Sequence, residues 1–190
     1  DLTGAWDLTD ASSSANSIDV SSEEVSPAGL AFSEDGTKAY ISGAGDDVYQ
    51  YTLSTAWDAS TGSYASKSLV ASTEDSDTTG VAFSADGTKC YVTGATNDAV
   101  FQYTLTTAWD VSTASYASKS LDVSGEDASA RGLAFSSDGT KCYVCGNAND
   151  TIYQYELRHK VARRVGRGND TSRYCVSTRR QESICVGRFW

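Results

Sequence analysis

Residues 29–53 read GLAFSEDGTKAYISGAGDDVYQYTL, and this stretch decides the fold because the chain writes it three times. GVAFSADGTKCYVTGATNDAVFQYTL begins at Gly80, and GLAFSSDGTKCYVCGNANDTIYQYEL begins at Gly132. The spacing is 51 and then 52 residues, with the extra residue in the loop before Val100. In the first copy, a short apolar run over 29–33 meets Asp35-Gly36, a strong hairpin signal between two apolar runs. A second strand is expected over 38–42, followed by a Gly/Asp turn over 43–47. Residues 48–53 then alternate, with Tyr49, Tyr51 and Leu53 on one face and Val48, Gln50 and Thr52 on the other.

The linking pieces repeat as well. TAWDASTGSYASKSL (55–69) matches TAWDVSTASYASKSL (107–121) and GAWDLTDASSSANSI (4–18), so Trp6, Trp57 and Trp109 are equivalent. A weak fourth strand is expected at Leu69 and Ala71, matched by Ile18 and Val20 and by Leu121 and Val123. Residues 1–28 then read as the end of a preceding repeat. The chain opens on Asp1 without a recognisable leader, so a processed protein or a piece of a longer one is expected. No window has helical periodicity. Pro27 is expected just before a first strand, where it breaks no ladder.

Four antiparallel strands in a unit of about 50 residues describe a β-propeller blade. The competing reading is a β-solenoid, whose repeats usually run nearer 20–30 residues. The block FS-x-DGTK-x-Y-[VI] resembles the repeat of YVTN, TolB-like and NHL-type propellers, with WD40 more distant. With its TAWD linker, the unit resembles tandem repeats of marine bacteria and their phages. The resemblance covers residues 1–157 and implies an all-β propeller fragment of about three four-stranded blades, starting near 29, 80 and 132. It implies architecture rather than activity, because propellers host many functions. Three blades are too few for a ring of 4–8. Further blades are expected from missing chain or from self-association.

The 190 residues carry a formal charge of −10, which disfavours nucleic acid as a partner. No apolar stretch is long enough for a membrane-spanning helix. The repeat stops at Leu157. Residues 158–190 hold nine of the fifteen basic residues against Asp170 and Glu182. Back-translation in a frame displaced by one base yields text like the missing linker, so this non-repeat tail is expected to be frameshift-derived or disordered. A basic arm for an acidic partner and a terminal cap are the alternatives.

The groups that could carry chemistry are few. His159, the only histidine, lies in the tail, so the repeats themselves hold no Ser-His-Asp or Cys-His set. Cys90 and Cys142 occupy equivalent second strands that should diverge too far for a bridge. Cys142 and Cys145 share one strand but point to opposite faces, and Cys175 and Cys185 lie in the tail. Buried free thiols are the expectation. Asn149-Asp150-Thr151 and Asn169-Asp170-Thr171 match a glycosylation triplet that is common by chance.

Carboxylates are the richer signal. The loop between second and third strands and the loop leading to the next blade should open on one face. That face would gather Glu23, Glu24, Asp46, Asp47, Glu74, Asp75, Asp77, Asp98, Glu126, Asp127 and Asp150. Such loops could supply the six to eight oxygens that Ca²⁺ takes, or could form a solvated acidic face. No EF-hand spacing is present. Trp57 and Trp109 are expected on the opposite rim beside the Asp-Gly turns, either stacking on a sugar ring or pinning their own loops. Asp7, Asp58 and Asp110 follow each Trp and are expected to cap its turn. Tyr49, Tyr51, Phe101, Tyr103, Tyr153 and Tyr155 are expected in blade-to-blade packing.

These features lead to a non-enzymatic binding or interaction module with a protein or glycan partner, in an extracellular, cell-surface or virion protein. A calcium-dependent propeller hydrolase of the lactonase or esterase kind is the alternative, and a structural spacer or decaying gene fragment the third.

Overall fold

Innermost in each sheet is the strand that begins a repeat. The computed structural model describes residues 15–157, 174–177 and 183–186. The chain forms two compact units, Asp1–Arg158 and His159–Trp190. In the first unit, β1 (Pro27–Phe32), β2 (Lys38–Gly43), β3 (Asp47–Leu53) and β4 (Gly62–Val70) form an antiparallel meander. β5 (Thr78–Phe83), β6 (Lys89–Gly94), β7 (Ala99–Leu105) and β8 (Ala114–Asp122) repeat it. β9 (Ala130–Phe135), β10 (Lys141–Gly146) and β11 (Ile152–Glu156) make a third sheet of three described strands. No α-helix occurs among the described residues, only 3-10 turns at Ala59–Thr61 and Val111–Thr113. The domain is thus all-β, with three blade-like sheets of a propeller.

The sheets meet through their first strands, β1 on β5 and β5 on β9. Glycine permits this approach. A Cβ on Gly29 would lie 2.9 Å from Gly80 Cα, and one on Gly80 would lie 2.7 Å from the Arg131 carbonyl. Farther out the sheets splay, and β4 meets the next sheet chiefly at its 3-10 turn. A fan of this kind excludes the solenoid, whose repeats stack in parallel.

Both faces of a middle blade are buried, so alternation does not separate core from solvent. Val100, Phe101, Tyr103 and Leu105 are all buried along β7, and Val48, Gln50, Tyr51 and Leu53 are buried in the same way along β3 of the first blade. Between the first two sheets, Tyr40, Val48, Leu69 and Ala71 pack on Val81, Cys90 and Val92. Each fully buried valine here contributes about 1.5–3 kcal/mol.

Two details depart from expectation. Pro27 is the first residue of β1 and pairs with Gly43 next to a register shift, a place where its missing N–H costs nothing. The fourth strand is not weak. It runs nine residues, and its small polar sequence hid it because it is the outermost strand of each blade. It carries a bulge where Gln50 and Tyr51 face Lys67 and Tyr64, with Ser66 at φ 54°. β8 repeats the bulge with Ser118 at φ 53°. In the second unit, β12 (Tyr174–Ser177) and β13 (Ser183–Val186) pair antiparallel, with Cys175 opposite Cys185. The origin and the remaining structure of the tail, including His159 and Asn169, lie outside the described residues, as do Trp6 and Asp7.

Candidate interaction surfaces

Within each blade the entry loop meets the turn between second and third strands, and one buried carboxylate holds the two together. Asp75, 2% exposed, accepts backbone N–H groups from Asp77 (2.9 Å), Thr96 (3.2 Å) and Asn97 (2.7 Å). Asp127, 1% exposed, does the same with Ser129 (2.9 Å), Ala148 (3.3 Å) and Asn149 (3.1 Å). In the first blade the role passes to Glu24, which accepts from Ser26 and Gly45. Each carboxylate ties the entry loop to the turn between second and third strands. Gly43, Gly94 and Gly146 end the second strands because a Cβ there would collide with these same carboxylates. That glycine was the sequence signal for the clamp.

The neighbouring glutamates work differently. Tyr51 donates its hydroxyl to Glu23 at 2.9 Å, and Tyr103 donates to Glu74 at 3.0 Å. In the third blade, burial first and the Glu126 charge second push the Tyr155 hydroxyl up to about 12. Asp46, Asp98 and Asp150 sit at φ 68°, 46° and 49°, the left-handed corner of the turn. Burial raises the Asp47 carboxyl above its ordinary value, with its neighbour Asp46 adding to the effect. Among the described residues, no three His, Cys, Asp or Glu side chains converge as a metal ligand set.

On the opposite rim, the Asp-Gly turns form compact units. Ser33 Oγ, Thr37 N–H and Thr37 Oγ1 all donate to Asp35. Those three bonds, led by that of Ser33, hold the exposed Asp35 carboxyl down at about 2. Gly36, at φ 68°, lies under the indole of Trp57, and Gly87, at φ 66°, under that of Trp109. Both tryptophans take positive φ themselves and donate their backbone N–H to the glycine carbonyl beneath, at 2.9 and 3.0 Å. Asp58 and Asp110 cap the following 3-10 turns through Ser60 and Ser112 N–H groups. Trp57 and Trp109 therefore pin their loops, yet Trp57 stays 62% exposed.

The Trp109 loop also latches one blade to another. Tyr40 Oη donates to the Trp109 carbonyl (2.8 Å), and Val111 N–H donates to Gln50 Oε1 (3.1 Å). Lys67, aimed outward by the bulge, pairs with Asp110 at 2.5 Å. Burial opposes ionisation of Asp110, but Lys67 and Ser112 more than offset it and leave the carboxyl below its ordinary value. Sequence reading missed this latch, although Lys67 and Lys119 sit at the same place in the repeated YASKS motif.

Cys90 and Cys142 are buried free thiols, pushed up by burial, Cys142 to about 11, while Cys145 is exposed and free. A groove of about 350 Å³ runs between the first strands, lined by glycines and by Arg131. No described helix is long and apolar enough to cross a membrane.

No protein-family model and no curated protein matches the chain. Solved structures do match. A putative 6-phosphogluconolactonase from Bacteroides fragilis superposes with a TM-score of 0.54 at 16% identity, over 68% of this chain and 34% of that one. A functionally unknown protein from Desulfotomaculum acetoxidans gives 0.50 at 13%, over 65% and 36%. The β-propeller domain of Cps50 (Swd1) from Myceliophteria thermophila gives 0.49 at 15%, over 68% and 37%. This chain spans about a third of the length of these structures. At such identities the likeness is one of fold: the repeat region is similar to part of an all-β, propeller-like domain.

Proposed function

We propose that the chain is a non-enzymatic recognition module, a sector of propeller surface that meets a protein or glycan partner through repeated loops. The observation that carries this reading is the use made of the acidic loops. Asp75 and Asp127 engage both carboxylate oxygens with backbone N–H groups in the same pattern in two successive repeats. A reaction centre needs different groups in different roles converging on one point. These repeats put like groups in like roles, at separate places around a rim, as multivalent contact requires. Trp57 adds an exposed indole beside an acidic turn, a surface suited to stacking on a sugar ring.

Two measurements on the 190-residue chain test this. Thermal melting with and without millimolar calcium should give the same midpoint, because an ion bound only by the native state would raise it. Glycan-array binding should fall on Trp57→Ala with the fold retained by circular dichroism. A calcium-dependent rise in midpoint would instead favour a calcium-dependent hydrolase of the lactonase or esterase kind. The motive for that second reading is the fold likeness to a protein named as a putative 6-phosphogluconolactonase.

A further inference from the structure

The two ends of the repeat region carry complementary halves of one blade. At one end, β11 has no fourth-strand partner in its sheet among the described residues. Its Ile152 is 74% exposed, whereas the equivalent Val48 and Val100 are 0% and 5% exposed. Nothing described lies within 4 Å of a Cβ built on Gly139, the turn glycine that its counterparts cover with tryptophan. A hollow of about 510 Å³ stands there, lined by Tyr91, Phe135 and Gly139. These are the equivalents of Tyr40, Phe83 and Gly87, the three residues against which Trp109 packs. A second hollow, of about 140 Å³, holds Gln102 and Lys119, the equivalents of the latch residues Gln50 and Lys67. After Leu157 the sequence has no Thr-Ala-Trp-Asp to fill either one.

At the other end, residues 4–20 carry the missing piece, GAWDLTDASSSANSIDV. Ala15 has φ 59°, the bulge conformation of Ser66 and Ser118. Asn16 donates to Asp58, as Lys67 does to Asp110. Ile18 and Val20 pack on the first blade as Leu69 and Ala71 pack on the second. Residues 17–20 thus follow the course of a fourth strand, although they belong to none of the sheets. On the same flank Leu30 is 61% exposed, whereas its equivalent Val81 is 7% exposed. Inside the chain, Val48 and Val81 share one core between the first two blades.

The geometry points to a second copy of this chain as the occupant: its residues 4–20 complete the third blade as the outermost strand, and its Leu30 flank covers Ile152. The internal interface between the first two blades is the template. Trp6 of the second copy fills the hollow over Gly139, and its Asp7 meets Lys119. In the β7–β8 register, Val100 faces Leu121, which brings Ile152 opposite Ile18 of the second copy. Two copies joined head to tail at both ends supply about six blades, inside the usual range for a closed ring.

Light scattering on the 190-residue chain should give a particle of twice 20.1 kDa. Ile152→Asp, at an exposed position that leaves the monomer folded, should give a monomer with an unchanged circular dichroism spectrum. Lys119→Asp should weaken the dimer about tenfold, and the added Asp7→Lys should restore it. Carbodiimide coupling of mixed ¹⁵N- and ¹⁴N-labelled chains should join Lys119 to Asp7 between copies. A monomer at every concentration, with the chain's own tail or nothing on β11, would overturn the proposal. So would a dimer indifferent to Ile152→Asp and to the charge swap. The calcium-melting and glycan-array tests of the proposed function read out independently of either result.

Discussion

Tyr40 in the first sheet donates its hydroxyl to the main-chain carbonyl of Trp109 in the second, across 2.8 Å. The bond anchors the loop of one blade on the side chain of another, and the ring around it is fully buried. Burial first, with the neighbouring Cys90 and Asp110 adding to it, pushes the hydroxyl above its ordinary range, so it stays protonated and donates at every physiological pH. Tyr40→Phe removes one donor and leaves a carbonyl beside it unpaired. The expected loss is about 1–2 kcal/mol of unfolding free energy, measured by urea denaturation. The change should also loosen the Trp109 loop, seen as faster amide exchange at Trp109 and Val111.

The three turn glycines share a conformation but not an environment. Gly36, Gly87 and Gly139 have φ of 68°, 66° and 65°, yet only the first two lie beneath an indole. Alanine at any of them meets the left-handed penalty of about 1 kcal/mol. At Gly36 and Gly87 the new methyl must also displace a tryptophan. Gly139→Ala should therefore be the mildest of the three, by about 1–2 kcal/mol, in matched denaturation curves. Equal losses at all three would mean that the hollow over Gly139 is already filled in the protein.

Acid should weaken the domain through its Asp-Gly turns. Asp35 and Asp138 are held down at about 2, and Asp86 lower still, in each case first by the hydroxyl of the serine two residues before it. Folded values below the ordinary 3.8 mean that this stabilisation is complete above pH 3.8 and fades as pH falls toward 2. Melting midpoints should be flat from neutrality to about pH 5 and then drop. Asp35→Asn combined with Asp138→Asn should lower the neutral midpoint and flatten the fall below pH 4. An unaltered acid slope would assign the loss to other carboxylates.

What the sequence displayed and what it hid follow one physical rule. Repetition, Asp-Gly pairs and β-branched runs exposed the blades and their inner three strands, because these depend on local turn chemistry and on burial. The fourth strand stayed faint since GSYASKSLV is small and polar, is held mainly by its pairing with β3, and breaks its alternation at the Ser66 bulge. The acidic loops were legible as a cluster but not as clamps, because a carboxylate bound for solvent and one bound for three backbone N–H groups look alike in one dimension. The Lys67–Asp110 latch joins residues 43 apart, a pairing that only the fan of sheets creates.

Asp75 is the most demanding of those clamps. Its carboxylate is buried, lies where Gly94 leaves space, and satisfies three N–H groups of two loops. Asp75→Ala strands those donors, at a cost of about 3 kcal/mol or more. Asp75→Asn keeps the shape and one acceptor oxygen but aims an amide N–H₂ at a backbone donor, so it should recover less than half of the loss. Asp75→Glu offers the longer reach that Glu24 uses in the first blade. With Gly94 and both loops unchanged, its extra methylene has no room and should cost about 1–3 kcal/mol. The order of stability should be wild type, then Glu, then Asn, then Ala, read from urea midpoints at neutral pH. An alanine variant as stable as the parent would mean that water serves those N–H groups equally well and that the Asp75 carboxylate is kept for a ligand.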